Sequence, residues 1–174
     1  VEGSHQGCVL GGKLFNIGNF SVVGVTMEDH AEVYCPMFSD NIALVGRLSK
    51  IFAAAQDLKE SLAEIGLILQ PAESGIYIPS YNHHDEPPQL LDALKVKYPE
   101  FKDTPWLKEG ITMLGCPVGT DAYIHDMLTR VCDKIAERAE QYQEVDDGLI
   151  HLQLQKFSTN AMLQNFLRTT KPAL

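Results

Sequence analysis

Asp40 is the acid that the chain sets apart. It lies in Met37-Phe38-Ser39-Asp40-Asn41, with the apolar run Val33-Tyr34-Cys35-Pro36-Met37 before it and Ile42-Ala43-Leu44-Val45-Gly46 after it. Both runs have the length and composition of strands. Ser, Asp and Asn form turns because their short polar side chains bond nearby backbone. The pattern predicts a β-hairpin with one carboxylate at its tip, a stiff mount for a charged group. Turn chemistry alone also accounts for an Asp and an Asn at a bend. A second candidate is the glycine-rich start, where Gly3, Gly7, Gly11 and Gly12 alternate with Ser4, His5, Gln6 and Cys8. Such a loop either lets a ligand approach the backbone closely or is an ordinary surface loop. A third is His83-His84-Asp85-Glu86, flanked by Pro79, Pro87 and Pro88. Neighbours on an extended chain point to opposite sides, which makes one ion hard to chelate there.

These groups must be positioned by the elements around them. Residues 13–25 are compatible with a helix that follows the glycine loop, and a helix start offers free N–H groups to phosphate. Gly18 weakens that helix by about 1 kcal/mol relative to Ala. Pro36 inside the first strand predicts an edge strand or a bulge. Leu48, Ile51, Phe52, Ala55, Leu58, Leu62 and Ile65 mark one face of a helix over 47–65. Ser49 would begin it and Gly66 would cap it. Leu67-Ile68-Leu69 and Ile76-Tyr77-Ile78 read as short strands. Residues 91–110 are amphipathic, interrupted by Pro99 and Pro105, with Trp106 as a packing anchor. Residues 111–119 read as a second hairpin around Gly115-Cys116-Pro117. Ile124, Leu128, Val131, Ile135, Arg138 or Ala139, and Tyr142 trace one face of a strong helix over 120–143. Leu149, Leu152 and Phe157 suggest another, and Ser158-Thr159-Asn160 supplies caps for a last one that stops before Pro172. The expected class is α+β, a mixed lobe followed by a helical lobe.

Composition limits the choices. The chain has 174 residues, 45% of them hydrophobic, enough for a core. Its net charge of -9 is opposite in sign to that of most autonomous nucleic-acid binders, and no Lys/Arg cluster is visible. Cys8, Cys35, Cys116 and Cys132 lie at no metal-knuckle spacing and read as reduced thiols of an intracellular protein, nuclear or cytoplasmic. No run reaches the roughly 20 apolar residues that cross a bilayer, so no membrane partner is expected. A chain beginning with Val1 rather than Met reads as a fragment.

Three stretches in order resemble the polymerase domain of reverse transcriptases, especially those of non-LTR retroelements. Gly3-Ser4-His5-Gln6-Gly7-Cys8-Val9-Leu10 resembles motif B, a Gly, two variable residues and Gln-Gly-Asp-Pro-Leu. Phe38-Ser39-Asp40-Asn41 resembles motif C, an aromatic, any residue and two aspartates at a hairpin tip. Leu58 to Ser74 resembles motif D, a helix ending in Gly-Leu, then a strand and Asn-Pro-Ser-Lys. Met113-Leu114-Gly115-Cys116-Pro117-Val118-Gly119 is similar to the motif E hairpin. The tail through Asn165-Phe166-Leu167-Arg168 looks like the start of a thumb.

The resemblance implies a partial palm over 1–118, a short antiparallel sheet with helices on one face, then a thumb-like segment over 119–174. It implies nucleotide addition to a primer by two-metal phosphoryl transfer, with Mg²⁺ or Mn²⁺ as cofactor and template-primer and dNTP as partners. Asp40 would hold metal, with Asn41 beside it in the catalytic pair. Gln6, Gly7 and Phe38 would face nucleotide and template, and Leu114 and Gly115 would form the primer grip. The departures are specific. Motif A and its Asp would lie upstream of Val1. Asn41 replaces an acid and brings no charge to offset Mg²⁺. Glu73 stands where motif D has Lys, and Cys8-Val9 where motif B has Asp-Pro. The expectation is weak or absent catalysis by this chain alone. The competing readings are a non-catalytic interaction domain on the same scaffold and a metal hydrolase using His83, His84 and Asp85.

Overall fold

The computed structural model describes residues 10–81 and 86–169. The chain forms two compact units. The first comprises Val1–Ser74 with Pro87–Thr104, the second Gly75–Glu86 with Pro105–Leu174. The hairpin over 110–119, which the sequence groups with the palm-like portion, therefore belongs with the long helix that follows it.

In the first unit, α1 (Gly11–Glu28) leads to a hairpin of β1 (Met37–Phe38) and β2 (Asn41–Ile42). The ladder pairs Met37 with Ile42 and Phe38 with Asn41, and an isolated bridge joins Tyr34 to Val45 in the same register. Pro36 explains the gap between these pairs. It lies opposite Ala43 at a hydrogen-bonded position, where Ala43 N donates to the Pro36 carbonyl at 3.0 Å. Pro36 has no N–H to return the bond. The strand is an edge strand, as Pro36 predicts, and its register continues without a bulge.

Alternation then divides the hairpin. Cys35, Met37, Ile42 and Leu44 face inward and pack on Val23 of α1 and on Leu58 and Leu62 of α2 (Leu48–Glu64). Tyr34, Phe38 and Val45 face out. The helix α2 begins at Leu48 rather than Ser49 and has no side-chain cap. Its end is the one expected. Gly66 adopts φ +80, Gly66 N donates to Ala63 O at 3.0 Å and Leu67 N to Leu62 O at 3.0 Å. That is a Schellman cap, closed by Leu67 packing back on the core.

Leu67-Ile68-Leu69 does not form a strand. Leu67 and Leu69 pack inward and Ile68 is exposed, but among the described residues no strand pairs with the segment. A second cluster closes the unit. Phe52 meets Tyr98 at 5.8 Å and Phe101 edge-on at 5.9 Å, beside Leu91 and Leu94 of α3 (Gln89–Lys97).

In the second unit, β3 (Ile76–Tyr77) pairs in parallel with β4 (Trp106–Leu107). The antiparallel hairpin of β5 (Gly110–Met113) and β6 (Cys116–Gly119) follows. Its turn is Leu114-Gly115, both at positive φ (51 and 80), the signature of a type I′ turn. Cys116 and Pro117 therefore lie in β6 and not in the bend. Pro117 faces Thr112 at a position between bonded pairs, where its missing N–H costs no ladder bond.

Thr120 caps α4 (Asp121–Tyr142), accepting from Tyr123 N at 3.2 Å. The partly covered face of α4 carries Ile124, Leu128, Val131, Ile135 and Tyr142 as its spacing predicts. Asp147 caps α5 (Gly148–Leu154) through bonds from Leu149 N and Ile150 N. A π-helical turn over Gln155–Thr159 then runs directly into α6 (Asn160–Thr169). Ser158-Thr159-Asn160 caps nothing, because the backbone stays helical through it. The Thr159 hydroxyl donates instead to Gln155 O at 2.8 Å.

The class is therefore α+β, with helices dominant. The described strands form three separate two-stranded pairs, two antiparallel and one parallel, rather than one antiparallel sheet.

Candidate functional site

The hairpin tip is built from below. Leu58 and Leu62 of α2 and Val23 of α1 form its floor. Four inward residues fix the strands to that floor, which leaves the two-residue turn Ser39-Asp40 standing clear. Ser39 takes φ 56. A positive φ for Ser costs about 1–2 kcal/mol and persists where its surroundings hold it. Asn19 of α1 does so, donating from Nδ2 to the Ser39 carbonyl at 2.9 Å. Asn19 is buried (2% exposed), as is Val23 one turn further along α1.

Asp40 and Asn41 are exposed at the tip. Asn41 Nδ2 donates to Asp40 Oδ1 at 3.1 Å, so the amide orients the acid and keeps its own oxygen free. Phe38 lies across from Asn41 and is 66% exposed. Phe38, Asp40 and Asn41 thus lie together at the hairpin tip.

Gln6 and Gly7 lie outside the described residues, as do His83, His84 and Asp85. The glycine-rich segment leads into α1 at Gly11. Eight residues, about 12 Å of helix axis, separate Gly11 from Asn19 at the tip. Glu73 lies exposed in a short 3₁₀ turn, Pro71–Glu73. Leu114 and Gly115 form the turn of the β5–β6 hairpin in the second unit.

Mg²⁺ is a hard cation that takes oxygen ligands and commonly one or two carboxylates, with water and phosphate oxygens completing its shell. Asp40 offers one such carboxylate and Asn41 one amide oxygen, which fits part of a site. Among the described residues, no three His, Cys, Asp or Glu side chains gather into a metal-holding group. A second carboxylate would have to come from another segment.

The sequence reading missed the contacts that Asn19 and Arg138 make. Asn19 was detectable as a polar residue, with Asn16, among Leu14, Phe15, Ile17 and Phe20. Arg138 reaches from α4 to the π turn, where Nη1 donates to Ser158 Oγ at 2.9 Å and meets Met162 Sδ at 3.1 Å.

A shallow apolar groove of about 200 Å³ lies beside the hairpin, lined by Phe20, Val23, Gly24, Met27, Cys35 and Met37. Burial pushes the Cys35 thiol above its ordinary range. Among the described residues, no helix is long and apolar enough to cross a membrane.

Comparison of the chain with family models, with curated proteins and with solved structures gave no match.

Proposed function

We propose that this chain is part of a reverse-transcriptase-like palm with the beginning of a thumb, and that Asp40 contributes one carboxylate to its metal site. The supporting observation is the tip itself. A lone exposed acid stands on a two-residue turn, closed by an aromatic–Asn pair and backed by the helix that follows a glycine-rich segment. That arrangement agrees with the order Gly-rich loop, helix, acid-tipped hairpin, helix that the resemblance supplies. The bound metal would stabilise charge on the attacking and leaving oxygens of phosphoryl transfer. The residues of this chain have narrower tasks. Asp40 would hold the ion, Asn41 would orient Asp40, and Phe38 would offer an apolar face beside it.

One carboxylate with an amide neighbour is half of such a centre, so the isolated chain would bind without turning over. Primer extension by the chain alone should give no product with Mg²⁺ or Mn²⁺. Supplying an upstream segment that carries an acid on a strand, together with Asn41→Asp, should restore extension. Extension that persists after Asp40→Asn would exclude the reading. If extension stays absent with both changes while template-primer still binds, the non-catalytic interaction domain is the better account. The exposed apolar residues Tyr34, Phe38 and Val45 on the hairpin's outer face favour that second reading.

A further inference from the structure

Asn19 touches the tip at one informative place. The Ser39 carbonyl belongs to the peptide between the two central residues of the turn. Rotation of that peptide interconverts the type I′ and type II′ forms of a two-residue hairpin turn. In both forms the first central residue has positive φ. The second has positive φ in type I′ and negative φ in type II′. Here Ser39 has φ 56, and Asp40 does not share a positive φ. The turn therefore has the φ signs of type II′, and the 2.9 Å bond from Asn19 Nδ2 holds the peptide whose rotation would change it.

We propose that Asn19 is the positioning residue for Asp40, because its amide fixes the central peptide of the turn and so the direction in which the carboxylate leaves the tip. The Asn19 bond fixes the turn whether or not a metal binds. Its consequence for metal binding rests on the function proposed above. The type II′ form favours Gly at the first central position, and Ser39 lacks that freedom, so the turn depends on a tertiary contact. Asn19 is nearly fully buried, and its Oδ1 has no partner among the described residues. A buried orphan acceptor is retained at a cost. Replacing the whole amide by an apolar group removes that orphan together with the bond. The substitution Asn19→Leu should therefore leave the fold intact and free the turn.

The test is amide exchange and chemical shift by NMR on the full chain, with Mn²⁺ alone as the metal probe. In the unaltered chain, one Asn19 side-chain amide proton should be protected. In Asn19→Leu, the Asp40 and Asn41 amides should exchange at least tenfold faster and their shifts should move, while Leu58 and Leu62 keep their protection. Unchanged tip amides in the folded variant, or two freely exchanging Asn19 side-chain protons in the unaltered chain, would overturn the proposal. If Asn19→Leu does not fold, Asn19→Ala and the side-chain measurement decide it. Mn²⁺ broadening at Asp40 should need several-fold more metal in Asn19→Leu and disappear in Asp40→Asn. Broadening that survives Asp40→Asn removes the metal reading, and the exchange result still judges Asn19.

Discussion

The two hairpins among the described residues have the same length of turn and are stabilised in different ways. The β5–β6 hairpin is locally determined. Both turn residues take positive φ, as type I′ requires, and Gly115 suits its place. At the other end Gly110 pairs with Gly119, because a Cβ on Gly119 would lie 2.3 Å from Glu109 O and one on Gly110 would lie 2.4 Å from the Tyr123 ring. The hairpin that carries Asp40 has a weaker local code. Its turn has no Gly, and Pro36 removes a ladder bond. Its register comes from four inward side chains on a buried floor, and its turn form from Asn19. A hairpin held by distant residues can present an acid that its local sequence does not favour. Backbone strain with external support is a recurring property of functional sites.

That contrast can be broken at the floor first. Leu58 is fully buried under the first hairpin. Leu58→Ala should cost about 4 kcal/mol, the usual range for a deleted buried Leu, and tip amides should lose protection with the core. Thermal or urea unfolding followed by circular dichroism measures the cost. A loss below about 1 kcal/mol would mean that the floor does not carry the hairpin. The second hairpin should be most sensitive at its paired glycines. Gly119→Ala should cost roughly 3 kcal/mol by overpacking against backbone. Trp106 is the only tryptophan and lies in the second unit, so its fluorescence follows this loss.

The turns themselves give a smaller effect of opposite sign. Leu114 is exposed and takes φ 51. Leu in that region carries about 1–2 kcal/mol of steric cost, which Asn relieves. Leu114→Asn should therefore stabilise the second unit by about 1 kcal/mol, read as a higher urea midpoint of Trp106 fluorescence.

Local signals in the sequence explain what could be read from it. The 3.6-residue period located α2 and α4, and Gly66 marked a cap whose two hydrogen bonds are those expected of it. Asp40 could be placed at a tip because apolar runs flank turn residues. What could not be read depended on partners distant in the chain. Leu67-Ile68-Leu69 has strand composition but pairs with no strand among the described residues. Ser158-Thr159-Asn160 has cap composition, yet the helix continues through it: the Thr159 hydroxyl bonds back to Gln155 O and the Ser158 hydroxyl accepts from Arg138 of α4. The Leu114-Gly115 turn was placed one residue late because Leu is an unusual occupant of positive φ. Asn19 was invisible as a tip residue because twenty positions separate it from Ser39.

The smallest effect concerns Cys35, which lies on the inward face of the first hairpin. Burial raises its thiol pKa, so the folded state prefers the neutral form. A group with a raised folded pKa adds stability that is complete below its ordinary value of 9.0 and is lost as pH rises through the folded value. The first unit should therefore weaken on the alkaline side of that value by an increment that Cys35→Ala removes. Cys132 is exposed and Cys116 and Cys35 are half-covered. Only the thiolate reacts. At mildly alkaline pH, alkylation should therefore modify Cys132 first of these three and Cys35 last of them, as followed by peptide mass spectrometry. Rapid modification of Cys35 in the folded chain would mean that the inward face of the hairpin is open to water, and the tip would then lack the rigid base on which its comparison with the second hairpin depends.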